Sequence, residues 1–182
     1  MEHIVNCLGK YMALDHDQAL SMPPEFYTSE EFFEVEQTQL FHGEWVCLGR
    51  TEQIPKVGDY FATELLNEPL IVVRTKLEEI KILSNVCRHR GTVLVEGTGN
   101  TNNFICPYHA WSYSLDGHLR RAPLIKDRND FDQENCSLPT FSSEIWGGFI
   151  YVNLSGTAPP LLPQLEGLST LIQNYHMDDM VE

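Results

Sequence analysis

Two short stretches of the chain carry side chains able to hold a metal. In "NVCRHRG" (85–91), Cys87 and His89 are separated by one residue, with Arg88 and Arg90 on either side of the histidine; after sixteen intervening residues comes Cys106-x-x-His109. Two thiolates and two imidazoles would satisfy a tetrahedral zinc. Zinc fingers, however, place both cysteines in one half and both histidines in the other, whereas each half here carries one of each. That mixed arrangement suits a binuclear iron–sulfur cluster, with cysteines on one iron and histidines on the other. A single Cys/His pair would say little, because buried cysteines and hydrogen-bonded histidines at strand ends are common. Two pairs at this spacing, each in a loop with Gly or Pro, point to a metal centre.

Such loops need a rigid framework to present them. From Trp45 onward the apolar pattern has a period of two: "WVCLGR", "DYFATELL", "LIVVRT", "EIKILSNV" and "FICPYHAWSYSL" are short β-branched and aromatic runs separated by Pro, Gly, Asn and Asp. Asp116-Gly117 predicts a tight turn between two strands, and "WGGFIYVNL" (146–154) reads as a buried strand. Upstream, Thr28 followed by Glu31 has the form of a capping box and predicts a helix ending at Gly43. Residues 1–43 are therefore read as an arm and helix, 44–155 as a mainly β domain, and 156–182 as a linker with an amphipathic tail.

The 182 residues carry a net charge of −14, with 42% apolar residues. A nucleic-acid partner calls for a basic face, and overall repulsion argues against one. The acidity is uneven: nine of the twelve Lys and Arg residues lie between 74 and 128, including Arg88, Arg90, Arg120 and Arg121, which predicts a basic collar. No run reaches the roughly 18 apolar residues of a membrane span, and Glu2, Lys10, Asp15 and Asp17 interrupt any signal-like block. Five widely spaced cysteines make no disulfide framework and suit a reducing cytosol.

"CRHRG" with "CPYHAW" resembles the two cluster-binding loops of Rieske proteins. More narrowly, the chain resembles the N-terminal Rieske domain of the alpha subunit of ring-hydroxylating (Rieske non-haem iron) oxygenases. The likeness covers about residues 28–154, through "LFHGEWVCLGR", "GDYFATELLNEPLIVVR", "SNVCRHRG", "CPYHAWSYSLDGHLRRAP" and "WGGFIYVNL". It implies a Rieske-type antiparallel β-sandwich with a two-loop cluster-binding subdomain and helical flanks. It also implies a [2Fe–2S] cluster, with Cys87 and Cys106 on a buried ferric iron and His89 and His109 on the outer, reducible iron. Arg88, Arg90, Gly91, Tyr108, Trp111 and Tyr113 would surround it. Respiratory Rieske proteins carry a further cysteine in each loop and bridge them; Thr92 and Tyr108 stand there in this chain. Trp111 replaces a serine hydroxyl aimed at a bridging sulfide, and losing that donor predicts a potential low in the Rieske range, about −150 mV. Tyr113 keeps a hydroxyl for a cysteine sulfur.

The resemblance further implies one-electron transfer to a mononuclear Fe(II), held by two histidines and a carboxylate, in a C-terminal catalytic domain of which residues 156–182 would be the linker and the start and the rest is expected to be missing from this chain. By itself the chain would then not hydroxylate a substrate. The alternative is a stand-alone Rieske-type ferredoxin. The implied donor is a ferredoxin or flavin reductase, and the implied acceptor a neighbouring subunit of a cytoplasmic homotrimer, without nucleic-acid or membrane partners. Arg88 and Arg90 are either solvated loop cations or a docking collar for an acidic partner; Trp111 is read as a packing shield. Cys7, Cys47 and Cys136 are read as incidental thiols, His42 as a helix-end cation, and His118 as solvated. "NYHMDD" (174–179), which resembles part of the mononuclear-iron motif but lacks its second histidine, is read as structural.

Overall fold

The computed structural model describes residues 2–123, 125 and 131–177, and divides into two units between His42 and Gly43. In the first unit, α1 spans Glu2–Met12, α2 Glu25–Thr28 and α3 Glu30–Val35, which continues as a π-helical stretch, Glu36–Phe41. The cap of α3 lies one residue beyond the predicted Thr28. Ser29 is extended and its hydroxyl accepts the Phe32 N–H at 3.2 Å. Thr28 is already committed to the preceding turn, where its hydroxyl donates to the Pro24 carbonyl at 3.2 Å. Two adjacent residues could cap, and the diproline turn takes the first.

Among its described residues, the second unit holds ten strands: β1 (Val46–Arg50), β2 (Asp59–Leu65), β3 (Glu68–Lys76), β4 (Glu79–Ser84), β5 (Thr98–Asn100), β6 (Asn103–Ile105), β7 (Ser112–Ser114), β8 (Leu119–Arg121), β9 (Thr140–Trp146) and β10 (Phe149–Asn153). Seven form one antiparallel sheet, ordered β1-β10-β9-β4-β3-β2-β5, and β6-β7-β8 form a second. The turn at Asp116-Gly117 joins β7 to β8, with Gly117 at φ +88° and its N–H donating to the Ser114 carbonyl at 2.9 Å. After β10 come two short helices, α4 (Leu161–Gln164) and α5 (Glu166–Ile172). The start of that segment is held to the strands. Trp45 Nε1 donates to the Pro159 carbonyl at 2.7 Å, and the Glu144 carboxylate accepts the Leu161 and Leu162 N–H groups at 3.0 and 3.2 Å. Among the described residues, no helix is long and apolar enough to cross a membrane.

Strand β3 explains how the sheet positions the loops. Its Leu70, Ile71, Val72 and Val73 are all fully buried, although alternate residues face opposite sides of a sheet. Leu70 and Val72 pack with Ile82, Ile150 and Val152, so the long sheet curls and brings β10 over β2–β4. Ile71 and Val73 pack on the other side with Leu83, Phe104, Tyr113, Leu119 and the two cysteines of the loops. A strand covered on both faces reads as an unbroken apolar run, as "LIVV" does. The small sheet is thus mounted on the back of the large one.

At the start of β2, Asp59 accepts the Lys56 N–H and the Asn100 side-chain N–H, both at 2.7 Å. These bonds, the Asn100 one foremost, hold its carboxyl below the usual carboxylate range. A depressed folded pKa means a stabilisation that is full at neutral pH and lost as pH falls below the usual carboxylate value. Asp59→Asn should therefore flatten the acid limb of the stability curve between about pH 4 and 2, measured by urea unfolding; an acid limb identical to wild type would rule this out.

Candidate metal centre

The two loops are built alike. In the first, the Cys87 N–H donates to the Thr92 carbonyl at 2.8 Å and the Gly91 N–H to the Cys87 carbonyl at 3.0 Å. In the second, the Cys106 N–H donates to the Trp111 carbonyl at 2.8 Å and the Ala110 N–H to the Cys106 carbonyl at 3.0 Å. The fourth residue after each cysteine is left-handed, Gly91 at φ +72° and Ala110 at φ +58°. Each cysteine therefore anchors a tight loop at both its amide and its carbonyl. A Cβ at Gly91 would meet nothing within 4 Å, so Gly91→Ala tests backbone strain alone. It should cost about 1–2 kcal/mol in denaturant unfolding; an unchanged midpoint would contradict the left-handed closure.

Side chains divide by depth. Cys87 and Cys106 are 2% and 3% exposed, whereas His89 is exposed and His109 half-buried. The imidazole centroids lie 4.8 Å apart at 68°. Trp111, itself buried, lies flat against His89 at 4.9 Å and 9°, and meets the edge of Phe131 at 5.9 Å. The Tyr108 ring is 3.8 Å from that of His109. From inside, the Tyr113 hydroxyl lies 3.3 Å from Cys87 Sγ and accepts the Arg88 N–H at 3.1 Å. A phenol has one proton, and the Arg88 amide occupies an oxygen lone pair, so that proton is free for the sulfur. Among the described residues, no three Cys, His, Asp or Glu side chains converge as one ion requires. The donors form an inner pair of thiols and an outer pair of imidazoles instead of a single cage.

Burial pushes the Cys87 thiol and the Tyr113 phenol up; their shared contact raises Tyr113 further but partly offsets the shift of Cys87, because the phenol's hydrogen bond favours the thiolate. His89, though exposed, is pushed down, first by partial desolvation of its ring and then by His109 and Arg90, which favours the neutral imidazole a metal binds. A thiol as reluctant to ionise alone as that of Cys87 needs a strong cationic partner.

Arg88 and Arg90 are exposed beside His89, and neither makes an ion pair among the described residues. Arg120 and Arg121 are exposed on β8, while Lys126 and Arg128 of the predicted collar lie outside the described residues. Cys7, Cys47 and Cys136 are free thiols. His42 is exposed, and His118 is 66% exposed with Asp116 at 3.8 Å. Of "NYHMDD", His176 ends a short helical turn at φ +49°; Asp178 and Asp179 lie outside the described residues. Sequence reasoning did not single out Ala110 or Phe131. Ala110 had a signal, standing four residues after its cysteine as Gly91 does after Cys87. Phe131 had none, because its contact with Trp111 spans a connection without regular pattern.

The profile of the Rieske [2Fe-2S] domain matches residues 44–142, more than half of the chain, and the chain belongs to that family. Within it, the relatives are oxygenase alpha subunits. The carnitine monooxygenase oxygenase subunit of Acinetobacter baumannii is 34% identical over 154 residues, which span 84% of this chain and 42% of that one. Among solved structures, a quaternary ammonium Rieske monooxygenase, described for carnitine oxidation by gut microbiota and inter-subunit electron transfer, superposes with a TM-score of 0.78 at 34% identity, covering 85% of this chain and 43% of that one. Naphthalene 1,2-dioxygenase from Rhodococcus sp. gives 0.83 at 29% identity, covering 94% and 40%. The chain thus spans about two fifths of the length of these relatives.

The family's cofactor is a [2Fe–2S] cluster, and the residues present fit one. Two thiols and two imidazoles are its donor set. His109 Nδ1 is buried without any hydrogen-bond partner. A ring nitrogen left unsatisfied in the interior is costly unless something else takes its lone pair.

Proposed function

We propose that this chain carries single electrons through a Rieske [2Fe–2S] cluster held by Cys87, Cys106, His89 and His109, on behalf of a non-haem iron oxygenase. When bound, the cluster supplies a reversible one-electron couple. The observation that carries the reading is the arrangement by depth: two buried thiols inside, two imidazoles at the rim, and an unpartnered Nδ1 on His109. Cys87 and Cys106, whose thiols lie in the apolar core behind the sheet, would hold one iron. His89 and His109 would hold the other from the rim, where a partner can approach. Trp111 fixes the plane of His89 and closes that flank to water. Tyr113 donates to the Cys87 sulfur, which favours the more negative, reduced state.

Arg88 and Arg90 beside the exposed histidine favour a partner with an acidic face, and steer it in a salt-dependent way. In our reading the donor is a ferredoxin or flavin reductase. The acceptor is a mononuclear non-haem iron in an oxygenase catalytic domain, a part of the relatives that this chain does not span. By analogy with the monooxygenase described for inter-subunit transfer, that iron belongs to a neighbouring subunit. Purified without air, the protein should be red-brown, with about two irons and two sulfides per chain. A colourless protein carrying one zinc ion would overturn the reading.

A further inference from the structure

The two ligand loops are alike in backbone closure but unequal in support. The second is carried on a hairpin: β6 and β7 pair antiparallel on both sides of it, with Ile105 opposite Ser112 and Phe104 opposite Tyr113. The first leaves β4 at Ser84 and reaches β5 only at Thr98, and the one bridge across its neck is Val86 to Val93. Left at that, Leu94 and Val95 would have few partners with which to return the chain to the sheet.

Asn85 supplies them. The residue is 2% exposed, and its own N–H donates to the Pro69 carbonyl at 2.7 Å, next to β3's buried run. Its side-chain oxygen accepts the Leu94 and Val95 N–H groups, both at 3.1 Å, and its side-chain nitrogen donates to the Val95 carbonyl at 2.8 Å. The carboxamide thus meets both polar groups of Val95, as a peptide unit would in an antiparallel ladder. A second bond from the Leu94 N–H reaches the Asn85 carbonyl at 3.0 Å. Both oxygen lone pairs are used and one donor is engaged.

We infer that Asn85 is a positioning residue for the cluster: its carboxamide stands in for a missing strand and holds shut the loop that presents Cys87 and His89. It touches neither iron ligand with its side chain and acts through the loop's neck. The inference rests on the reading that these residues hold the cluster. Without the clamp, the sheet should remain while the first loop opens and lets its two ligands drift from those of the second. No other residue type matches the geometry. Aspartate keeps the acceptor but loses the donor to Val95 and buries a charge; alanine loses all three bonds.

Asn153 provides the control. It is 1% exposed, and its side chain donates to the Gly43 and Glu44 carbonyls at 2.7 and 3.1 Å, far along the chain from either loop. The experiment compares cluster-loaded wild type, Asn85→Ala and Asn153→Ala at equal intervals below their respective melting temperatures. It follows the visible absorbance after a chelator is added, and the electron paramagnetic resonance line shape of the reduced protein. Asn85→Ala should release iron at least about tenfold faster than Asn153→Ala, the factor corresponding to one hydrogen bond or more lost from the closed loop, and should show a broadened line. Equal release rates with unaltered line shapes would overturn the inference. Should Asn85→Ala not fold, hydrogen exchange on the wild type decides. The Leu94 and Val95 amides should be protected as strongly as those of β3, and exchange at loop rates would overturn it. Wild type without any [2Fe–2S] cluster would instead sink the proposed function, whatever the Asn85 amide data show.

Discussion

Serine in place of Cys87 or Cys106 is expected to leave a folded protein that retains no more than about a tenth of the wild-type iron and sulfide. The substitution removes one atom type and little volume. A serine hydroxyl stays protonated where a thiol can be deprotonated by a metal, even one that burial pushes up as it does Cys87. The inner iron would lose half of its protein ligands, and among the described residues no third Cys, His, Asp or Glu gathers with the remaining donors to replace it. The burial cost is modest by comparison, about 1–3 kcal/mol for an unsatisfied hydroxyl. At Cys87 the Tyr113 hydroxyl remains to pair with it. Circular dichroism should therefore report a native β-protein while metal analysis reports an empty one. A serine variant with the native visible spectrum would remove that cysteine from the ligand set.

Phe104→Ala should cost about 3–5 kcal/mol in urea unfolding, a large part of the roughly 5–15 kcal/mol that holds a domain together. Phe104 is fully buried on β6 and meets Tyr60 of β2 edge to face, with centroids 5.6 Å apart at 78°. With Tyr113 and Leu119, it is therefore one of the side chains through which the small sheet grips the large one. Strands of three residues cannot persist on backbone pairing alone. The loss should appear first in the small sheet, with Ser112–Ser114 amides exchanging before those of β3. A cost below about 1 kcal/mol would mean that this interface is held elsewhere.

What could be read from the sequence was what is encoded locally. Cys87, His89, Cys106 and His109 announce themselves by type and spacing, and Asp116-Gly117 announces its turn by the glycine's left-handed φ. The doubly buried β3 is legible as "LIVV", because burial on both faces abolishes alternation. Strand β5 was not foreseen: "TGN" has no pattern, and exists as a strand only because β2 lies beside it. Strand β9 escaped for a related reason. In "TFSSEIW" the side chains alternate weakly, and its place between β4 and β10 comes from distant partners. The α3 cap moved by one residue because Thr28 and Ser29 have nearly the same chemistry, and a turn upstream chose between them. Asn85 was hidden most deeply. In "ILSNV" it reads as a polar residue ending a strand, and its partners are brought to it only by the loop it closes.

The two-sided burial of β3 also bears on how the protein is made. Ile71, Val73 and Leu83 are dry only while the small sheet covers them, so a chain whose loops have not closed presents a β-rich, uncharged surface to its neighbours. The contact between the sheets then becomes a determinant of yield as well as of stability: Phe104→Ala should divert part of this protein into inclusion bodies under expression conditions that keep wild type in the supernatant.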